Sequence, residues 1–299
     1  MNFINLNKPL WQWAVILLLA FIWGSSFILM KRGLEVFSPV QVASLRMIIA
    51  GIILMPFALK NIRYLKNNYK ALLIVGFIGN GIPAYLFTWS QMHVSSSAAG
   101  ILNSLTPVFT LIAGFLFFRT RIVKLQIIGV VLGLAGSVLL FLNKSFSFQF
   151  SIFTWGLLII AATAMYGINI NHVKYNLKEL HGFTIAALSF MLILPFAVFM
   201  YFMNLPCICI AENEAFTTSL WSVIILGVFG SAFAVAIINI LIKYTSAVFA
   251  STVTYIMPAV ALIWGYSDNE TITFSSGLAL ILILSGVYLI QHKTKTNEK

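Results

Sequence analysis

The sequence predicts an all-α integral membrane protein, with ten transmembrane helices arranged as two inverted five-helix repeats. Three observations predict it. Hydrophobic residues make up 61% of the 299 residues and charged residues 8%, where a soluble domain averages about a quarter charged. So few charges cannot cover a water-facing surface, and 26 Phe point to lipid as the solvent. The apolar residues also fall into runs of the length that crosses a bilayer, about 20 residues. Finally, the two halves resemble each other, and five spans per half is an odd number, so the second half enters the membrane inverted.

The runs lie at 10–30, 38–59, 71–91, 94–118, 125–143, 152–172, 183–203, 218–241, 244–266 and 275–292. Pro9 to Met30 is 22 residues without a charge, longer than the roughly 7–15 apolar residues of a signal peptide. No small-residue cleavage site stands out after it, so it reads as the first span. Ser38-Pro39 opens the second span as cap and first-turn proline. The 48 residues from Ala71 to Phe118 contain no Asp, Glu, Lys or Arg. They must fold back once, and Gln91-Met92-His93 is the polar break. Lipid cannot satisfy the edges of an open sheet, and the runs do not alternate as barrel strands would.

Ten spans put both termini on one side. With the termini in the cytoplasm, the inner basic residues are Lys8, Lys60, Arg63, Lys66, Lys70, Arg119, Arg121, Lys124, Lys174, Lys178, Lys243, Lys293, Lys295 and Lys299. The outer ones are Lys31, Arg32 and Lys144, a split of 14 to 3 that follows the positive-inside rule. The net charge of +11 therefore reads as topology, with no nucleic-acid partner expected. Cys207 and Cys209 form a lone C-x-C, weak ground for a disulfide or a metal.

The halves, 1–150 and 151–299, share two stretches. "WGSSFILMKRGLEVFSP" from Trp23 matches "YGININHVKYNLKELHG" from Tyr166 at an offset of 143. Ser95–Phe115 matches Ser246–Tyr266 at an offset of 151, with Ser95/Ser246, Ala99/Ala250, Pro107/Pro258, Leu111/Leu262, Ile112/Ile263 and Gly114/Gly265 identical. The loop after span four reads "FFRTRIVK" and its counterpart after span nine "YSDNETIT". Their opposite charge is what inversion favours. Inverted repeats characterise secondary transporters, with the substrate site near the midplane where the repeats meet.

The stretches "FIWGSSFILMKRGLE" (21–35), "SLRMIIAG" (44–51), "SAAGILNSLTPVFTLIAGFLFF" (97–118), "IIGVVLGLAGSVLL" (127–140), "YIMPAVALIWGYSDNETIT" (255–273) and "ILSGVYLI" (283–290) resemble the drug/metabolite transporter superfamily, in particular its EamA-type branch. The resemblance spans nearly the whole chain. It implies a ten-helix carrier in a bacterial inner membrane, built of two EamA-type repeats and moving amino acids, other small metabolites or drugs, often outward. One departure is Arg119, where many family members carry Glu, so no role for that acid transfers here.

Several polar and aromatic residues lie deep in the spans. Asn80, Asn103, Asn169, Asn171 and Asn239 are costly in lipid unless paired. Each either bridges two helices or lines a shared cavity, and their spread over four helices favours the cavity. Trp23, Tyr85, Trp89, Tyr166 and Tyr255 surround them and suit a cation or an apolar side chain. Pro107 and Pro258 free the carbonyls of Asn103 and Thr254, which then need a partner or a cavity. The run of Ser95, Ser96, Ser97, Ala98, Ala99 and Gly100 suits a close helix seam. Arg46 lies eight residues past Ser38, about 12 Å into its helix. It meets helix-end carbonyls, Glu35 or a substrate carboxylate.

No span core carries Asp or Glu, and His93 and His172 lie near span ends, so facilitated transport is expected, with at most weak proton coupling through His172. No Walker A pattern, metal-ligand spacing or catalytic motif occurs, so no cofactor, metal or enzymatic activity is expected. The expected function is a secondary carrier, an exporter or facilitator of small organic metabolites such as amino acids. The alternatives are a broad-specificity drug exporter and, less favoured, a membrane-embedded lipid transferase. The expected assembly is a monomer or weak dimer in the bilayer.

The basic split makes a topological prediction. In a background lacking Cys207 and Cys209, Arg121→Cys should resist an impermeant thiol reagent added outside intact cells, and Glu212→Cys should react. Labelling of position 121 from outside would overturn the inverted arrangement.

Overall fold

The computed structural model describes residues 5–94, 96–142, 150–204, 215–267 and 274–292. Lys144, Cys207, Cys209, Glu212, Asp268 and Glu270 lie outside the described residues. Among the described residues every element is helical. The order is α1 (Pro9–Gly33), α2 (Pro39–Lys60), a 3-10 turn (Ile62–Tyr64), α3 (Leu65–Ile74), a π segment (Val75–Gly81) and α4 (Ile82–Gln91). Then come α5 (Ser96–Asn103), α6 (Thr106–Phe118), α7 (Lys124–Leu142), α8 (Phe150–Asn176) and α9 (Gly182–Met203). The chain ends with α10 (Ala215–Ile225), a second π segment (Leu226–Phe233), α11 (Ala234–Tyr244), α12 (Ala247–Ser251), α13 (Val253–Ser267) and α14 (Phe274–His292).

Among the described residues, six helical stretches are long and apolar enough to cross a membrane: Pro9–Gly33, Pro39–Lys60, Ile62–Gln91, Thr154–Asn176, Gly182–Met203 and Ala215–Tyr244. Shorter apolar helices occupy Thr106–Phe118, Lys124–Gly136, Ala247–Val260 and Ile281–Ile290. The expected start of the second span holds: Ser38 and Gln41 form a reciprocal capping box, with bonds of 3.2 and 2.9 Å.

Two features depart from plain helices. The third and eighth runs widen midway into the π segments, at Gly76, Gly79 and Gly81 in one and Gly227 and Gly230 in the other. A widened turn leaves carbonyls without their helical partner, and side chains take them. Asn80 Nδ2 donates to the Val75 carbonyl at 2.9 Å, and Trp23 Nε1 to the Gly230 carbonyl at 2.8 Å.

The fourth and ninth runs are broken, between α5 and α6 and between α12 and α13. Pro107 sits in the first turn of α6, whereas Pro258 lies inside α13. Both freed carbonyls are bonded by hydroxyls. Thr106 Oγ1 donates to Asn103 at 2.7 Å, and the Ser104 hydroxyl is shared between the carbonyl of Thr254 at 3.3 Å and that of Gly100, four residues before it, at 3.1 Å.

Helices α7 and α14 pack closely against each other. A side chain added at Gly129 would lie 2.7 Å from the Gly286 carbonyl, and one at Gly286 would lie 2.7 Å from the Gly133 nitrogen. Gly129 and Gly133 are four residues apart, the spacing of small residues that lets two helix backbones touch. Gly286→Val should therefore force the two helices apart and cost roughly 1–3 kcal/mol, read as a lower melting temperature in detergent. Val131→Leu, on the exposed face of α7, should stay within about 0.5 kcal/mol of the parent. Equal melting temperatures for both variants would show that the helices are not in contact there.

Candidate functional site

A cavity of about 130 Å³ opens between the broken helices, the π segments and the helices beside them. Among the described residues, α3, α7, α10 and α14 contribute nothing to its lining. Helices α7 and α14 flank the cavity-bearing elements instead, and the ring of Tyr255 fills the space over Gly133.

Two helices face the cavity with the same spacing. α1 supplies Trp23, Ser26, Phe27 and Met30, and α8 supplies Tyr166, Asn169 and Ile170. Steps of three and four residues keep these side chains on one helical face. Gly79 and Gly230 of the π segments approach them closely. A side chain at Gly79 would fall on the amide of Asn169, and one at Gly230 would lie 3.0 Å from Ser26 Oγ. Glycine at both positions lets the widened turns meet the polar faces of α8 and α1.

Arg46, from α2, is the one formally charged residue among the described lining. Its Nε donates to Ser231 Oγ of the second π segment at 3.0 Å. The pairing with Glu35 is not formed: Glu35 is exposed beyond the end of α1. Among the described residues no carboxylate stands against this guanidinium.

The amides divide into two groups. Asn80, Asn103, Asn169 and Asn239 all line the cavity. Asn80 is held by Val75, and Asn103 Nδ2 has a long contact to Met257 Sδ at 3.5 Å. Asn169 is 9% exposed, yet its Oδ1 has no protein partner, and neither does Nδ2 of buried Asn239. Asn171 behaves differently. It donates to the carbonyls of Thr110 and Gly167 at 2.8 and 2.9 Å, tying α8 to α6.

The aromatics divide as well. Trp23 and Tyr166 line the cavity, and Phe87 stacks on Tyr166 at 6.0 Å between centroids. Tyr85 does not reach it; its hydroxyl bonds Ser44 Oγ at 2.9 Å, joining α4 to α2. Tyr255 is fully buried and donates to the Val130 carbonyl at 2.9 Å. Trp89 is 41% exposed on α4, away from the cavity.

The histidines also stand apart. In His172, Nδ1 accepts from Asn176 at 2.8 Å and Nε2 therefore carries the hydrogen toward the Ala71 carbonyl, 3.1 Å away. His93 stacks on Trp155 at 4.0 Å. Neither lines the cavity.

Sequence reasoning missed Ser26, Ser231 and Thr254, which line the cavity. The repeat contained the signal. Ser26 matches Asn169 at the offset of 143, and Ser231 and Thr254 match Asn80 and Asn103 at the offset of 151. It also missed Phe27, Met47, Phe87 and Phe190, which nothing distinguishes from lipid-facing residues in a sequence this apolar.

Comparison with known proteins agrees with this architecture. The chain is similar to the uncharacterized inner membrane transporter YedA of Escherichia coli K12, 27% identical over 282 residues, covering 90% of this chain and 87% of that protein. It is 22% identical over 300 residues to the "Probable terminal-alkyne amino-acid exporter" of Streptantibioticus cattleyicolor, covering 97% and 95% of the two chains. A solved structure described only as "Crystal structure of protein" shares the fold with a TM-score of 0.75 at 15% identity, covering 96% of this chain and 98% of that one. The EamA-like transporter family matches both halves, over residues 10–142 and 153–291, and the chain belongs to that family.

Proposed function

We infer that this membrane transporter is a secondary carrier for small organic metabolites bearing a carboxylate, amino acids above all, working as an exporter or facilitator. It does so by alternating access between two inverted five-helix repeats, 1–150 and 151–299, in an inner membrane with both termini cytoplasmic. The observation that carries this reading is Arg46, a cation without an acidic partner in an otherwise uncharged lining. Such a cation suits a substrate carboxylate. The unpartnered amide atoms of Asn169 and Asn239 add capacity to hydrogen-bond an ammonium or a further oxygen. Trp23, Phe27, Phe87, Tyr166 and Phe190 favour an apolar side chain. A cavity of about 130 Å³ favours a small metabolite over a bulky drug. The relative named an amino-acid exporter points the same way.

Recurring contacts support the repeat. The two π segments begin at Val75 and Leu226, 151 residues apart. Gly24 packs on Val260, and Gly167 packs on Phe109; the glycines are 143 apart and their partners 151. Gly79 meets Asn169 and Gly230 meets Ser26, again at matched places. The even number of apolar runs in the sequence supports termini on one side, and the name of the Escherichia coli relative supports the inner membrane.

Purified protein tests the site. L-Leucine, L-methionine and L-phenylalanine are suitable probes for binding and for uptake into proteoliposomes. Arg46→Gln should weaken binding by about ten- to a hundredfold, the worth of a charge-assisted hydrogen bond of roughly 1.5–3 kcal/mol. Trp23→Ala and Asn103→Ala should weaken it to a lesser degree while the protein still reaches the membrane. Affinity and melting temperature are measured on the same samples. Lower stability with unchanged affinity in all three variants would make these residues helix staples and move the binding site elsewhere.

A further inference from the structure

The cavity poses a charge problem when it is empty. Arg46 brings a positive charge, and the bond recorded for its side chain goes to the neutral hydroxyl of Ser231 at 3.0 Å. The nearby groups are all uncharged, and no described lining residue is acidic.

While the cavity is open to one side, water and mobile anions solvate the guanidinium. Alternating access must then pass through a state closed to both sides, with the site held between the repeats. There the cation keeps only what the cavity encloses. A buried ion left without its partner is far more costly than a paired one, and the small volume limits how much water can stand in. A bound carboxylate supplies the partner, whereas an empty cavity does not.

We propose that the carrier is an obligate exchanger of carboxylate-bearing solutes: the loaded cavity reorients, and the empty one does not, because Arg46 crosses only when paired. This rests on the carboxylate reading of the site. It narrows the transport mode from export or facilitation to exchange, which excludes net flow without a counter-solute. One solute leaves only as another enters, and a gradient of one amino acid drives the movement of a second. The same property gives a carrier with no acid in its described span cores a driving force that needs no proton relay. The driving gradient is that of the counter-solute.

The test uses the full chain in proteoliposomes in chloride-free buffer, loaded with radiolabelled L-leucine. Efflux is followed into buffer with and without saturating unlabelled L-leucine outside, and equilibrium binding of L-leucine, L-methionine and L-phenylalanine is measured on the same preparation. External leucine should accelerate wild-type efflux at least tenfold, equivalent to about 1.4 kcal/mol in the barrier. In Arg46→Gln, whose empty cavity is neutral, efflux should become independent of external leucine. Equal wild-type efflux in the two buffers, or binding with no flux in either, overturns exchange and leaves the carboxylate site standing. Acceleration that persists in folded Arg46→Gln overturns the role given to Arg46. If none of the three amino acids binds or moves, the carboxylate reading fails and exchange falls with it. Should Arg46→Gln not fold, the wild-type comparison decides alone.

Discussion

A polar group in hydrocarbon without a partner costs several kcal/mol, and this cost governs where the chain may leave regular helix. It leaves it at four places, the two π segments and the two breaks near Pro107 and Pro258. At each a side-chain donor takes a released carbonyl. Asn80 serves Val75, Trp23 serves Gly230, Thr106 serves Asn103 and Ser104 serves Thr254. Trp23 and Ser104 reach their acceptors from the other half of the chain, so the irregular backbone of one half is stabilised by the other. The same accounting identifies what is left over. Arg46 and the amides of Asn169 and Asn239 line the cavity without a full set of partners. Gln41 and Gln91 also carry buried amide atoms without a protein partner, away from the cavity, so the charge of Arg46, more than the unpaired amides by themselves, is what distinguishes the cavity.

Much of this was legible in the sequence because lipid simplifies the reading. Apolar run length and sparse charge are enough to place the helices, and the deep amides and Arg46 stand out against so apolar a background. The π segments were not legible, since Gly76, Gly79 and Gly81 read equally well as small packing residues. Polarity and depth pick out cavity-lining residues where they coincide with a helical face turned inward, as for Trp23, Asn80, Asn103, Tyr166, Asn169 and Asn239. Depth alone did not separate these from Tyr85 and Tyr255, whose hydroxyls find partners in Ser44 and the Val130 carbonyl. A tyrosine that bridges helices and one that faces a cavity have the same sequence signature. They differ by a rotation of the helix, and that is set by tertiary packing. Trp89 belongs to the same class of ambiguity, because its exposed ring sits on a run whose other faces are buried.

The two halves agree in frame and differ in lining, and that difference bears on mechanism. Matched positions hold Trp23 and Tyr166, Ser26 and Asn169, Asn80 and Ser231, and Asn103 and Thr254. In each pair both members line the cavity, so the proposed repeat puts related but unequal groups on its two sides. Charge is the sharpest inequality. α2 brings Arg46 and Met47, while α9 brings Phe190, so the one charge of the described lining comes from the first half. Under the proposed alternating access a substrate carboxylate would stay on Arg46 while the helices around it exchange roles. In the proposed mechanism the repeated frame permits the exchange of conformations, and the unequal lining decides what must be bound for the exchange to occur.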